Sequence, residues 1–200
     1  MAVKRAMDVV GAALLLIVLS PLFLVLAAAI VIDTGRPVFF RQVRLGRGLR
    51  EFRVLKFRTM TTDASPDMHM DYIAKLATGQ ADDDSLKKLT ADPRVTPVGR
   101  FLRRTSLDEL PQLVNVLLGN MSLVGPRPAL EYELQHYQER HFERFAVKPG
   151  MTGLWQVSGR NTVGFTEMLD LDAEYARSSN LLTDLKILIK TPLAAVSGAA

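Results

Sequence analysis

The chain has no cysteine, three histidines and a single tryptophan in its 200 residues. Without thiols there is no disulfide framework, no Cys-ligated zinc, no iron–sulfur cluster and no thiol nucleophile. Charge of one sign is also scarce. Lys and Arg number 25 against 21 Asp and Glu, and the net +4 is too small to imply a nucleic-acid partner. No internal repeat is present. The length suits one ordinary domain, or a domain with an appendage, and such a chain buries a core without covalent staples.

What the chain has in excess is one apolar run. Val9 to Ile32 covers 24 residues with no charge, a helical reach of about 36 Å against about 30 Å of bilayer hydrocarbon. Core helices keep a polar face, so this run predicts a membrane segment. A cleaved signal peptide is the main rival, with Lys4 and Arg5 ahead of the run and Ala27-Ala28-Ala29 as a cleavage-like site. The run continues through Ile30, Val31 and Ile32, longer than a signal core. Ser20-Pro21 stands at its middle, where proline removes a helical hydrogen bond and predicts a kink or break. Each half reaches about 16 Å, the depth of one leaflet. Basic residues flank both ends, which suits a helix that enters one leaflet and returns. A straight span with a proline kink fits the residues nearly as well.

Beyond Asp33 the sequence reads as one compact domain of α/β-type, helix-rich character. Val38–Phe40 and Phe52–Phe57 predict short strands around a Gly46-Arg47-Gly48 turn, and this turn lacks the Gly-Lys-Ser/Thr ending of a phosphate loop. Helices are expected over Leu107–Leu118, Ala129–Phe145, Thr166–Ala176 and Leu181–Ile189. The last has an apolar face interrupted by Asp184 and Lys186, suited to a membrane surface or to the core. Thr61–Asp92 is polar and reads as a mobile excursion.

Arg36 to Arg58 carries eight basic residues and one acid in 23 positions, a patch for anionic lipid or phosphorylated ligands. Ser106-Leu107-Asp108-Glu109 has capping-box spacing at a helix start. The same two acids, beside Arg103-Arg104, also make a place where a phosphate, a metal and a carboxylate nucleophile can meet. Gly125-Pro126-Arg127-Pro128 is a stiff loop presenting one guanidinium. Asp82-Asp83-Asp84 reads as a solvated loop despite its likeness to a metal-binding acidic motif. His136 and His141 are off the spacing that presents two ligands on one helix face.

Taken together, these blocks resemble the bacterial sugar transferase family, the monotopic polyprenyl-phosphate phosphoglycosyl transferases. The resemblance spans about Lys4 to Pro192. It is carried by the apolar hairpin with Ser20-Pro21, Lys56–Met60 (KFRTM), Leu102–Pro128 (LRRTSLDELPQLVNVLLGNMSLVGPRP) and Lys148–Asn161 (KPGMTGLWQVSGRN). It looks like the small form of the family, a catalytic unit without an N-terminal membrane domain. The organisation it implies is a re-entrant membrane helix over residues 1–35 and a catalytic domain over 36–200. The resemblance further implies that this domain lies on the cytoplasmic face of a bacterial inner membrane.

The family's reaction moves a sugar-1-phosphate from a UDP-sugar to polyprenyl phosphate and releases UMP, with Mg²⁺. By analogy Asp108 is the nucleophile and Glu109 the metal ligand. Lys56, Arg103 and Arg127 match positions typical of substrate binding, with Arg58, Arg160 and Gln156 as further candidates. The expected partners are a UDP-sugar, polyprenyl phosphate and membrane lipid, without nucleic acid and with room for a homo-oligomer. The wording of Trp155–Arg160 is closer to relatives that begin glycan chains with hexoses. Two departures stand out. Thr61–Asp92 matches no family block, and Ser178–Thr183 lacks the tryptophans many relatives carry before Asp184. The competing readings are a non-catalytic membrane-anchored basic binding module and a glycosyl transferase that releases UDP.

Overall fold

A computed structural model describes residues 2–61, 67–78, 92–159 and 163–197. The apolar run forms two helices, α1 (Ala2–Val18) and α2 (Ser20–Thr34), bent by 62° at Leu19. Pro21 has no N–H for the carbonyl of Ile17, and the Ser20 hydroxyl donates to that oxygen instead at 2.8 Å. The Ser-Pro pair thus bends the helix without orphaning a carbonyl in apolar surroundings. Among the described residues no single helix is long and apolar enough to cross a membrane; the bent pair passes that test together. The flanks of the bend are exposed and apolar, with Ile17 and Val18 each 70% and Leu24 73% accessible.

Both halves of the pair also pack against the rest of the chain. Ala12 joins a core with Leu113, Val116, Met121, Leu123 and Ile187, whereas Leu26 and Ile30 join Phe57 and Leu102. The basic residues at the start of α1 are held by the protein. Lys4 Nζ lies 2.7 Å from buried Asp184, and Arg5 donates to the carbonyls of Val116 and Leu117. Asp8, also buried, accepts from Ser122 Oγ and Leu123 N, each at 2.9 Å.

Strands β1 (Phe39–Leu45) and β2 (Glu51–Phe57) pair antiparallel, from Phe39↔Phe57 to Leu45↔Glu51. The predicted strand pair is present and longer than the sequence suggested. Helix α3 (Asp67–Ala77) lies in the segment read as a mobile excursion, and Ile73 packs with Phe165, Met168 and Leu169. The rest of that segment, including Asp82–Asp84, lies outside the described residues. Helix α4 (Pro97–Arg104) is capped by the Thr96 side chain, which accepts from Gly99 N at 2.9 Å.

The helix expected over Leu107–Leu118 is interrupted. Leu107–Glu109 is a 3-10 turn, and α5 (Gln112–Leu118) begins only after Pro111. The capping box is absent: Ser106 sits in the left-handed region at φ 56° and its side chain makes no capping bond. Pro111 supplies the reason, since it cannot continue the amide ladder from the preceding turn. A second correction concerns Ala129–Phe145, which is two 3-10 segments, Glu131–His136 and Glu139–Ala146, parted by extended Tyr137 and Gln138. Strand β3 (Ser122–Val124) pairs parallel with β4 (Gly150–Thr152), a pairing the sequence did not announce. Helices α6 (Leu154–Gly159), α7 (Phe165–Ser178) and α8 (Leu181–Ser197) complete the chain. Asp184 does not interrupt a wet face of α8. It is fully buried, accepting from Lys4 and from the Tyr175 hydroxyl.

Candidate active site

One pocket, of about 150 Å³, gathers residues from distant blocks: Arg44, Val54, Lys56, Glu109, Gln112, Arg127, Pro128, Gly150, Met151, Trp155 and Gln156. Its acidic wall is the Leu107–Glu109 turn, and its basic wall is β2 with the Gly125–Pro128 loop.

The acidic wall is aimed by Asn115. One edge of β2 pairs with β1; on the other, Asn115 on α5 donates to Arg53 O at 2.8 Å and accepts from Leu55 N at 2.9 Å. A buried side-chain amide therefore stands in for a missing strand partner and locks α5 to β2. That lock sets Lys56 against the turn, with Nζ 2.7 Å from Glu109 Oε1 and both side chains about a quarter to a third exposed. Arg103, at the end of α4, donates to Thr59 Oγ1 at 2.9 Å. Burial pushes the Asp108 carboxyl up to about 6, and Glu109 pushes the same way, whereas Lys56 and Arg103 pull it down. At neutral pH Asp108 is an anion that water stabilises poorly, the condition expected of a carboxylate nucleophile.

The basic wall is held far more tightly. Gly125 and Gly150 let β3 and β4 approach so closely that a Cβ on Gly150 would collide with the Gly125 backbone. The loop that follows is gripped at four points. Arg127 N donates to Asp172 Oδ2 at 3.3 Å, Arg144 donates to Arg127 O at 2.7 Å, and Arg44 donates to Pro128 O at 3.0 Å. Arg127 Nη1 meets Glu133 Oε1 at 2.9 Å. Glu133 is fully buried, and although burial opposes its charge, Arg127 holds its carboxyl below the usual range. Asp172 lies 2.5 Å from Arg144; complete burial pushes it up to about 6. Burial likewise lowers Arg44 to about 9, with Arg127 acting in the same direction.

Of the residues singled out from the sequence, the pocket brings together Lys56, Glu109, Arg127 and Gln156, with Asp108 and Arg103 beside them. Arg58 is placed elsewhere. It is buried, and its guanidinium donates to Thr34 O and Gly35 O, closing the end of α2 rather than facing the pocket. Arg160 lies outside the described residues. Among those described, no three His, Asp or Glu side chains form a ligand cluster. Mg²⁺ does not demand one, because it takes one or two carboxylates and completes its shell with water and substrate phosphate oxygens. Glu109, a hard oxygen donor in a cationic pocket, fits that pattern.

The bacterial sugar transferase family model matches residues 1–198. The chain belongs to this family. A UDP-galactose-lipid carrier transferase from Erwinia amylovora is 44% identical over 94% of the chain and 39% of the relative's length. The undecaprenyl-phosphate galactose phosphotransferase of Salmonella typhimurium shows the same three figures. The exopolysaccharide production protein ExoY of Rhizobium meliloti is 40% identical over 94% of the chain and 83% of its own length. The chain thus spans about two fifths of the first two relatives.

Sequence reasoning missed several residues of this family member's pocket. Arg44, Gln112 and Trp155 line it, and Asn115, Glu133, Arg144 and Asp172 hold it. A signal existed for Asp172, which shares a helical face with Met168, Leu169 and Tyr175 and so stood as an acid on a buried stripe. Nothing local marked Glu133. Two buried polar atoms in the pocket wall, Trp155 Nε1 and Gln156 Oε1, have no hydrogen-bond partner, a donor and an acceptor that a ligand can satisfy.

Proposed function

We propose that this chain transfers a sugar-1-phosphate from a UDP-sugar to polyprenyl phosphate and releases UMP, with Asp108 as the nucleophile. The carrying observation is the raised Asp108 carboxyl next to Glu109, which lines a pocket together with Lys56, Arg44 and Arg127. A carboxylate attacking a diphosphate needs its negative charge neutralised on the phosphorus side, and these cations are fixed there before substrate arrives. An Asp108 oxygen bonds to the β-phosphorus, and the bond from that phosphorus to the bridging oxygen breaks, the oxygen leaving with UMP. An oxygen of polyprenyl phosphate then attacks the same phosphorus and frees the Asp108 carboxylate, leaving a diphosphate-linked sugar on the lipid. A Mg²⁺ ion held by Glu109 would supply further charge neutralisation on the diphosphate. Arg127 is the diphosphate clamp, and Gln156 and Trp155 offer polar contacts to the nucleotide or sugar.

The same reading makes the bent pair α1–α2 a re-entrant element at the cytoplasmic face of an inner membrane, where a lipid-borne phosphate reaches the pocket. The exposed apolar residues around Leu19 support it. The galactose named in two relatives is in keeping with a hexose donor here.

The test is nucleotide release. Detergent-solubilised protein with polyprenyl phosphate and Mg²⁺ is offered a panel of UDP-sugars, and UMP is separated from UDP. UMP that vanishes in Asp108→Asn upholds the proposal and names the sugar. UDP as the product replaces it with direct glycosyl transfer.

A further inference from the structure

At the opposite end of α5 from the catalytic pocket lies a second depression, of about 580 Å³, whose walls include Arg47, Arg50, Glu51, Gly119, Asn120 and Lys148. Gln112 borders the first pocket and Gly119 the second, so the two stand about 10 Å apart along the helix. We propose that this depression binds a phosphoryl group, as a separate anion site that takes no part in the transfer chemistry.

Cations gather here with too few acids to balance them: Arg47, Arg50 and Lys148 share the walls with Glu51. Lys148 Nζ and Arg5 Nη2 come within 3.5 Å of the point where a Cβ on Gly119 would sit. Gly119 closes α5 at φ 85°, a conformation that favours glycine, and a Cβ there would lie in van der Waals contact with both cations. Arg5 is positioned by the carbonyls of Val116 and Leu117, at the negative end of α5. Lys148 is lowered by burial and further by Arg5 and Arg47, the mark of positive charges crowding one another. Among the described residues, Arg47, Arg50 and Lys148 have no carboxylate within ion-pair distance. Asp8 is the acid whose field reaches Lys148, and it is occupied by Ser122 and Leu123. Among the described residues, Glu51 is the one carboxylate on the walls.

Several cations, two or more with planar forks, suit a phosphate better than a single carboxylate. Leu118 and Leu49, next in sequence to the wall residues Gly119 and Arg50, are 72% and 42% exposed, and Arg5 lies one helical turn or so before the apolar stretch of α1. A phospholipid headgroup and a free phosphate share the chemistry, and these exposed apolar neighbours favour the headgroup.

Thermal unfolding of the full chain in detergent micelles tests this without any sugar donor, so its outcome is independent of the transferase proposal. Phosphatidylglycerol is added in one arm, phosphatidylcholine in a second, inorganic phosphate in a third and chloride of equal ionic strength in a fourth. Phosphatidylglycerol at a hundredfold excess over its Kd should raise the midpoint by about 5–10 °C over phosphatidylcholine. Lys148→Gln should abolish that rise; Arg47→Gln, on an exposed turn, should cut it at least by half if the first variant fails to fold. Glu51→Gln should enlarge it. An equal rise with inorganic phosphate assigns the site to a soluble phosphate. A rise that chloride or phosphatidylcholine reproduces, or that survives both cation variants, overturns the proposal.

Discussion

The two walls of the candidate catalytic pocket are built to opposite standards. The Gly125–Pro128 loop is held by its backbone and its side chain together: Asp172 and Glu133 each accept one bond from it, and Arg144 and Arg44 each donate one to it. The Leu107–Glu109 turn has no side-chain cap, begins at a left-handed serine, and leaves Asp108 pushed up to about 6 by burial. A group that clamps substrate gains from being fixed, because each immobilised donor costs less ordering at the moment of binding. A group that must form and break a bond gains from being poorly satisfied in the resting state. The proposed function gives the first role to a buried ionic network and the second to a short, partly buried turn.

That contrast is breakable. The largest effect expected is at the turn: Asp108→Asn should lower turnover on the order of 10⁴-fold or more, as for loss of a nucleophile. Its melting temperature should stay close to wild type, since none of the four bonds to the Gly125–Pro128 loop involves it; a large loss of stability there would erase the distinction. At the loop the pattern reverses. Asp172→Ala leaves Arg144 buried and unpaired, which should cost about 3–5 kcal/mol in chemical denaturation. A cost below about 1 kcal/mol would mean that the network does not hold the loop.

Acidity sharpens the comparison further. A carboxyl raised to about 6 loses its reactive anion as pH falls through that value. The rate kcat/KM should therefore drop about tenfold per pH unit below it. Asp172 is also raised to about 6, so Asp172→Asn separates the two. If the acid limb belongs to Asp108 it persists in this variant, and if it vanishes the cradle is what titrates. The smallest effect is expected from Glu133→Gln, which keeps a hydrogen bond to Arg127 but removes the charge. KM for the sugar donor should rise about tenfold with kcat changed less than threefold, and an equal fall in kcat would place Arg127 in the chemical step.

Much of this was legible before any coordinates. The uncharged run and its Ser20-Pro21 break are local facts: one proline lacking one N–H suffices to bend a helix, and the 62° angle follows. The hairpin around Gly46–Gly48, the α7 helix and the adjacent Asp108-Glu109 pair were also local, and the family blocks marked Lys56, Arg103, Arg127 and Gln156. Where sequence reasoning failed, it failed on competition between local rules. Ser106 and Glu109 had capping-box spacing, but Pro111 and the turn before it won. Arg58 and Arg127 look alike on paper, each in a basic or proline-rich stretch. One closes α2 and the other faces the pocket.

Only the tertiary structure decided that difference, because a guanidinium goes wherever its five donors find acceptors, and those acceptors come from remote segments. The same holds for Asn115, which replaces a strand partner 60 residues away, and for Glu133, whose neighbours in sequence give no hint of burial. The sequence by itself determined the bend in the apolar run, the elements with strong periodicity and the adjacency of Asp108 and Glu109. Long-range hydrogen bonding and burial decided which cations face the pocket and how firmly each is held.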